Sequence, residues 1–201
     1  MLAHELHELG GQPCNSPPRS TRELIGKAET IDSPKRVVLD MDLTEIPVYG
    51  WQENSAYNSH FESTCYHPLL LFNCQGDWLA TKLRPGNVHS AEHWEELLLQ
   101  EIDRQQKQGK EVVFQADAAF AKPEIHEALE ERGVKYAIRI PANDSLERDI
   151  AELLTRPVGC LSHKPVVWYK SFLYQAVSWK TVRRLFRSMV RRIEALPVPA
   201  G

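Results

Sequence analysis

The chain has 201 residues, of which 42% are hydrophobic and 25% are charged, values typical of a globular domain with its own core. No apolar run reaches the roughly 20 residues of a membrane helix, and the N-terminus lacks a basic start followed by an apolar stretch, so neither a membrane span nor a signal peptide is expected. Four scattered cysteines without a Cys-x-x-Cys pair argue against a zinc ribbon and are consistent with a reducing cytoplasm.

The net charge of −3 conceals an uneven distribution along the chain. Residues 156–201 hold nine Lys or Arg and a single acid, Glu194, whereas the rest of the chain carries an excess of acids. A basic end on an acidic body is compatible with an electrostatic contact to nucleic acid, and equally with a solvated helix that has no partner.

The first 34 residues predict a poorly structured segment, because "GGQPCNSPPRS" is rich in Gly, Pro and Ser. A short helix over residues 20–29 is compatible with Ser20 as its cap.

The next segments predict three strands. "RVVLDMDLT" is the first, "CYHPLLLFNC" is an apolar run of strand length, and "WLATKLRPG" follows after a turn at residues 75–77. The second and third strands are expected to form an antiparallel hairpin, with Cys65 and Cys74 in its core.

Helices and strands then alternate. Residues 91–107 have helical spacing and end before Gly109, "EVVFQADAAF" predicts a fourth strand, and "KPEIHEALEERG" predicts a helix with Pro123 near its start. "KYAIRIP" predicts a fifth strand, and "DSLERDIAELL" a helix capped by Asp144 or Ser145.

The C-terminal part predicts one more strand and one more helix. "PVVWYKSFLYQAVSW" is mostly β-branched and aromatic, whereas the apolar residues of "KTVRRLFRSMVRRIEAL" recur at helical spacing. The whole order predicts an α/β fold with a mixed sheet, in which the first three strands pair antiparallel.

Carboxylates stand at the ends of two predicted strands. Asp40 and Asp42 share one face of the first strand, and Asp117 ends the fourth. If these strands are neighbours, the carboxylates converge, and Mg²⁺ or Mn²⁺ would remove their repulsion. Two such ions about 4 Å apart activate water or a hydroxyl for attack on a phosphodiester. Asp117 suits a helix cap equally well.

Other polar residues are weaker candidates. His60, His67, His89 and His93 lack the spacing of a zinc site, and His89 is expected in the loop before the helix. Lys82 and Arg84 are candidate phosphate contacts, and "ENSAYNSHF" is either a DNA contact or a plain polar loop.

Several blocks in order resemble the DDE transposases of bacterial insertion sequences, in the branch often called DDE domain group 1. They are "LDMDLTEIPVYGWQENSAYNSHFESTCYHPLLLFN", "LRPGNVHSAEHW", "FQADAAFAKPEIHEALEERGVKYAIRIPAN" and "RPVG", within about residues 32–179. The resemblance implies a ribonuclease H-like fold over residues 35–179 and an Asp–Asp–Glu triad that holds two Mg²⁺ (or Mn²⁺) ions. It also implies cutting of the element's 3′ ends and their joining to target DNA. The expected partners are insertion-sequence ends and an oligomer, without a membrane, in the bacterial cytoplasm.

The resemblance assigns two metal-binding, catalytic residues. The Asp-x-Thr of "DMDLTE" indicates Asp42, rather than Asp40, as the first acid, and "QADAAF" indicates Asp117 as the second. Gln115 stands where relatives often have Arg.

The third acid of the resemblance has no counterpart in this sequence. The expected block, Tyr-x-x-Arg-Gly-x-x-Glu, is absent, and no spacing argument supports Glu194 in its place. After Trp179 the sequence departs from the pattern, so residues 180–201 are interpreted as a basic tail and the chain as a truncated, central piece of a transposase. Such a chain is expected to be inactive or nearly so alone. The alternatives are a non-catalytic DNA-binding or inhibitory fragment, or an inert remnant.

Overall fold

The fold was analysed in a computed structural model that describes residues 24–28, 31, 34–151 and 166–191. The chain divides into two units, Met1–Ile140 and Pro141–Gly201. Among the described residues, the strands are β1 (Arg36–Leu43), β2 (Ile46–Pro47), β3 (Ala56–Asn58), β4 (Ser63–Tyr66), β5 (Leu69–Asn73), β6 (Trp78–Lys82), β7 (Glu111–Ala116), β8 (Lys135–Ile138), β9 (Val166–Tyr174) and β10 (Arg183–Arg191). The helices are α1 (Trp94–Lys107), α2 (Pro123–Glu131) and α3 (Asp144–Asp149), with a 3₁₀ turn at Ala118–Phe120.

A five-stranded sheet of order β6-β5-β1-β7-β8 forms the centre of the first unit. Strands β5 and β6 pair antiparallel, as do β1 and β5, whereas β7 lies parallel to both β1 and β8. The predicted α/β fold with a mixed sheet is therefore confirmed.

The core lies on the face of β1 opposite its two aspartates. Val37, Leu39 and Met41 are buried at alternate positions, because successive strand residues point to opposite faces. Leu39 lies in register with Phe114 of β7, and both are fully buried. Burying each such side chain contributes about 1.5–3 kcal/mol relative to leaving it in water. Packed core residues thus fix how β1 and β7 lie beside each other.

The helices of the first unit follow the predicted pattern with one shift. The first, α1, buries Trp94, Leu97, Leu98 and Ile102 and ends before Gly109, whose φ is +74°. It begins at Trp94 and not at residue 91, because His93 has a left-handed backbone with φ 61°. Pro123 occupies the first turn of α2, as predicted.

The predicted second strand is in fact two strands, β4 and β5. Pro68 lies between them and cannot donate a backbone hydrogen bond to a ladder. Strand β4 pairs instead with β2 and β3 in a separate three-stranded sheet, and of these strands only β3 lies within the predicted polar loop.

The prediction for the two cysteines was half right. Cys65 is fully buried in β4, but Cys74 is exposed. Cys74 is the first residue of the turn between β5 and β6. In this turn Asn73 Oδ1 accepts hydrogen bonds from the backbone N–H groups of Gln75 and Asp77, and the Cys74 side chain faces water.

The second unit differs most from prediction. The predicted C-terminal helix is strand β10, which pairs antiparallel with β9 over nine residues. A basic helix on its own is marginally stable, whereas a neighbouring β-branched and aromatic strand supplies a continuous ladder of backbone hydrogen bonds. Helix α3 is capped by Asn143, whose side chain accepts from Leu146 N–H, rather than by Asp144 or Ser145.

Two predictions at the termini fall partly or wholly outside the described residues. Residues 24–28 are helical, within the helix predicted over 20–29. Glu194 lies outside the described part. No helix in that part is long and apolar enough to cross a membrane.

Candidate metal and DNA site

Asp42 and Asp117 stand at the adjacent ends of two neighbouring parallel strands. The β1–β7 register runs from Arg36 beside Glu111 to Met41 beside Ala116. One step further along both strands are the two aspartates, and both side chains are exposed. They line one cavity of about 860 Å³, together with residues 43–45, 57–61 and 86–90, His67 and Ala119. The structure thus brings together the two acids singled out in the sequence.

Backbone N–H groups orient both carboxylates. Leu43 N–H donates to Asp42 Oδ1 at 2.8 Å, and Ala119 N–H donates to Asp117 Oδ1 at 2.9 Å. Asp117 therefore caps the 3₁₀ turn, whereas the N-cap position of the helix that follows, α2, is occupied by Lys122. Within the described residues, Oδ2 of each carboxylate accepts no hydrogen bond.

Asp40 has a different environment from Asp42. Its Oδ2 accepts a 2.8 Å hydrogen bond from Gln115 Nε2 on the neighbouring strand, and it does not line the cavity. Gln115, the position where relatives often have Arg, thus binds the aspartate that was rejected as the first acid.

A third carboxylate, Glu45, lines the same cavity but was not predicted. It is half-buried and accepts a hydrogen bond from Ser63 Oγ of β4. Among the described residues, no three His, Cys, Asp or Glu side chains are grouped closely enough to hold one metal ion together. Asp42 and Asp117 contribute carboxylate oxygens at the strand ends, and oxygen ligands of this kind are those that hard divalent cations prefer.

Lys82 and Arg84, the predicted phosphate contacts, have structural roles instead. Lys82 Nζ pairs with Glu96 at 2.5 Å, and hydrogen bonds from Lys82 and His93 hold the pKa of the Glu96 carboxyl below its ordinary value. The Arg84 side chain is only 2% exposed, and burial lowers its pKa to about 10. Both cations are thus engaged with groups of the protein itself.

Arg84 holds the cavity wall formed by residues 86–90. Its Nε donates to the His67 carbonyl at 2.9 Å, and its Nη1 donates to the carbonyls of Ser90 and Glu92 at 3.0 and 2.6 Å. One guanidinium thus ties the loop before α1 to the segment between β4 and β5. The sequence alone does not reveal this role, because it does not show whether an arginine side chain is buried or exposed.

Of the four histidines that lack the spacing of a zinc site, three line the cavity: His60, His67 and His89. His67 is 5% exposed, and burial, with the nearby Arg84 charge, lowers the pKa of its imidazole. His93 occupies the N-cap position of α1 without a side-chain capping hydrogen bond, and its Nδ1 contacts Glu96 at 3.0 Å. His89 lies before the helix, as predicted.

Gly86 allows the two cavity walls to approach closely. A Cβ at this position would lie 2.4 Å from the Ala56 carbonyl oxygen and 2.7 Å from that of Cys65. The Asn58 side-chain amide also donates to the Gly86 carbonyl at 2.6 Å. Only glycine permits this contact without moving backbone.

We expect Gly86→Ala to destabilise the protein by roughly 1–3 kcal/mol, because two backbone carbonyls must move to admit the methyl group. Gly26→Ala is the matched control: nothing lies within 4 Å of its added Cβ. Urea unfolding measures both variants. A Gly86→Ala protein as stable as wild type would show that the walls separate easily.

Comparison with known proteins gives a family and several distant structural neighbours. The family model described as Transposase DDE domain group 1 matches residues 16–197, a range that includes most of the basic segment 180–201. No curated protein matches the chain.

The structural neighbours include a Mos1 mariner paired-end complex with Mn, a simian T-cell lymphotropic virus intasome and a Drosophila P element transposase strand transfer complex. The Mos1 match has 13% identity and a TM-score of 0.35, and covers 76% of this chain and 62% of that one. The intasome match has 13% identity and a TM-score of 0.34, and covers 78% and 82%. The P element match has 12% identity and a TM-score of 0.33, and covers 68% and 33%. This chain thus spans about three fifths of the Mos1 chain's length.

The family match extends over almost the whole chain, and on that match the protein belongs to the transposases with a DDE domain of group 1.

Proposed function

We propose that this chain binds DNA ends in the transposition of a bacterial insertion sequence, with Asp42 and Asp117 as ligands of Mg²⁺ or Mn²⁺. The observation that carries the proposal is the position of these carboxylates, at adjacent ends of β1 and β7 and on one cavity, in a chain of this family. The sheet order, with three antiparallel strands followed by two parallel ones, supports a ribonuclease H-like fold.

The proposed roles of the side chains follow from their hydrogen bonds. A divalent cation at this position supplies charge stabilisation to a phosphodiester and acidifies bound water or hydroxyl. Asp42 and Asp117 would hold the cation through Oδ2, while Leu43 N–H and Ala119 N–H fix the orientation of each carboxylate. Asp40, bound to Gln115, stays outside this set.

A second function, DNA binding without cleavage, is favoured by one specific observation. The family's third acid has no counterpart in the sequence, and the described residues offer no three-ligand group. Catalytic groups must be held within about 0.5 Å of their working geometry. Loss of one metal ligand therefore lowers the rate of strand cleavage more than it lowers the affinity for DNA. We therefore propose that the chain alone cleaves weakly or not at all.

The test uses a labelled duplex carrying the terminal repeats that flank the gene, with a scrambled duplex as control. Fluorescence anisotropy in Mg²⁺ measures binding, and a denaturing gel in Mn²⁺ measures strand cleavage. We expect the repeats to be bound more tightly than the scrambled duplex, with no more than trace cleavage. Equal or absent binding would contradict the transposase role, and efficient cleavage would contradict the proposed inactivity.

A further inference from the structure

The β9–β10 hairpin of the second unit has one face that is packed within that unit. The Tyr174 ring meets the Trp179 ring edge to face at a centroid distance of 5.7 Å, and the Arg183 guanidinium lies 4.9 Å from the centre of the same Trp179 ring. Trp179 and Arg183 are both buried. Because Tyr174 and Arg183 are directly paired across the two strands, their side chains lie on the same face of the hairpin.

The opposite face of the hairpin is exposed and mainly apolar. Alternate residues of β9 point to it, and the residues of β10 paired with Ser171 and Leu173 share it. We call this surface the outer face, and its described residues are Val167, Tyr169, Ser171, Leu173, Arg184 and Phe186. Tyr169 and Phe186 are each 78% exposed, and Leu173 is 65% exposed. A contiguous exposed apolar patch of this kind indicates an interaction surface.

The area of the outer face is sufficient for a contact between two proteins. Aromatic side chains bury about 150–250 Å² each, so two exposed rings with a leucine and a valine beside them offer on the order of 500 Å². Two such faces packed together would bury about 1,000 Å², which is the lower limit for a specific protein–protein interface. The outer face therefore matches a small interface in which it is covered by a second copy of itself.

The charge on the outer face favours an apolar partner over nucleic acid. Its described residues include one cation, Arg184, and no acid. Affinity for DNA comes mainly from several cations that neutralise phosphates, and the exposed Leu173 side chain cannot bind a phosphate. Arg184 is paired with Leu173 at the end of the ladder nearest the turn. In a two-fold, antiparallel arrangement the two Arg184 side chains therefore lie at opposite ends of the contact, and like charges do not meet.

We propose that the outer face of the β9–β10 hairpin is a contact between two copies of this chain, packed face to face about a two-fold axis. Ser171 and Phe186, which pair with each other near the middle of the nine-residue ladder, would lie closest to that axis. A buried aromatic side chain at the centre of an interface contributes a large share of the binding energy, so Phe186 is the expected anchor. The contact does not use Asp42 or Asp117, so it stands or fails independently of the proposed function.

Sedimentation velocity of the full chain over a concentration series, without DNA and without metal, tests the contact. We expect wild type to form a reversible dimer with a dissociation constant on the order of micromolar, as for other small interfaces. Phe186→Lys and Leu173→Lys are each expected to weaken the dimer by roughly tenfold or more, because an unpaired cation enters the apolar contact from both copies. Both positions are exposed in one chain, so thermal unfolding should show that the two variants fold like wild type.

The matched control is Val177→Lys, which adds the same charge at a fully exposed apolar residue in the turn between β9 and β10, outside the outer face. This variant is expected to dimerise like wild type. A wild type that stays monomeric throughout the series would overturn the inference and leave the outer face to nucleic acid or a different protein. Dimerisation unaffected by the two lysine variants, or weakened equally by the control, would also overturn it.

Discussion

Asp42→Asn and Asp117→Asn are each expected to reduce by at least about half the thermal stabilisation that Mn²⁺ gives the wild-type protein. At a Mn²⁺ concentration 100 times its dissociation constant, a ligand that binds only the folded state adds about 2.7 kcal/mol, which raises the melting temperature of a chain of this size by about 5–10 °C. Loss of one of two carboxylates weakens binding by at least about tenfold, since even groups that only orient a ligand contribute that much.

The asparagine substitutions isolate charge from geometry. Asn preserves Oδ1, so the hydrogen bonds from Leu43 N–H and Ala119 N–H remain, including the cap of the 3₁₀ turn. Without metal, both variants should be at least as stable as wild type, because one member of a repelling pair is gone.

Asp40→Asn is the matched control, on the same strand and face but bonded to Gln115. It should keep the full Mn²⁺ response. A wild-type response in the Asp42 or Asp117 variant, or its loss in the Asp40 variant, would place the cation elsewhere.

Arg84→Met is expected to destabilise the protein by roughly 2–4 kcal/mol. The substitution leaves the carbonyls of His67, Ser90 and Glu92 without their charged donor, and hydrogen bonds to charged groups contribute about 1.5–3 kcal/mol each. Relief of the cost of burying the guanidinium offsets part of that loss. Urea unfolding measures the difference in the free energy of unfolding.

Two further arginine variants sharpen the test. Arg84→Lys should recover little, because one ammonium group cannot supply both Nε and Nη1 donors at their positions. Arg36→Ala should change stability by less than about 1 kcal/mol, since Arg36 pairs with Glu111 at the surface, where the side chains are 60% and 39% exposed. Equal effects of Arg84→Met and Arg36→Ala would mean that Arg84 does not hold the loop.

The central sheet and its two acids were predictable because several local signals agreed. The alternating burial of β1, the turn at Gln75–Asp77 and the helical spacing of α1 each depend on a few neighbouring residues. The aspartates follow strands whose apolar residues pack in one core, so their meeting required only that β1 and β7 be neighbours.

The incorrect predictions concern features that depend on contacts between residues distant in the sequence. The apolar residues of the segment 182–193 are spaced in a way that is compatible with a helix or a strand. Residues Arg183–Arg191 form strand β10 because they pair with β9. The cavity walls, residues 57–61 and 86–90, are distant in sequence and meet at Gly86, whose carbonyl accepts a hydrogen bond from Asn58, while buried Arg84 holds the second wall. Glu45 is the second residue after β1, and no spacing rule distinguishes it from a surface glutamate.

The most direct measurement of the central claim is an anomalous difference map from crystals of the full chain soaked in Mn²⁺. We predict a peak at roughly 2.0–2.3 Å from a carboxylate oxygen of both Asp42 and Asp117, the distance expected for a hard divalent cation on oxygen. A map with no peak there, or with Mn²⁺ bound to only one of these aspartates and to residues outside the cavity, would contradict the account.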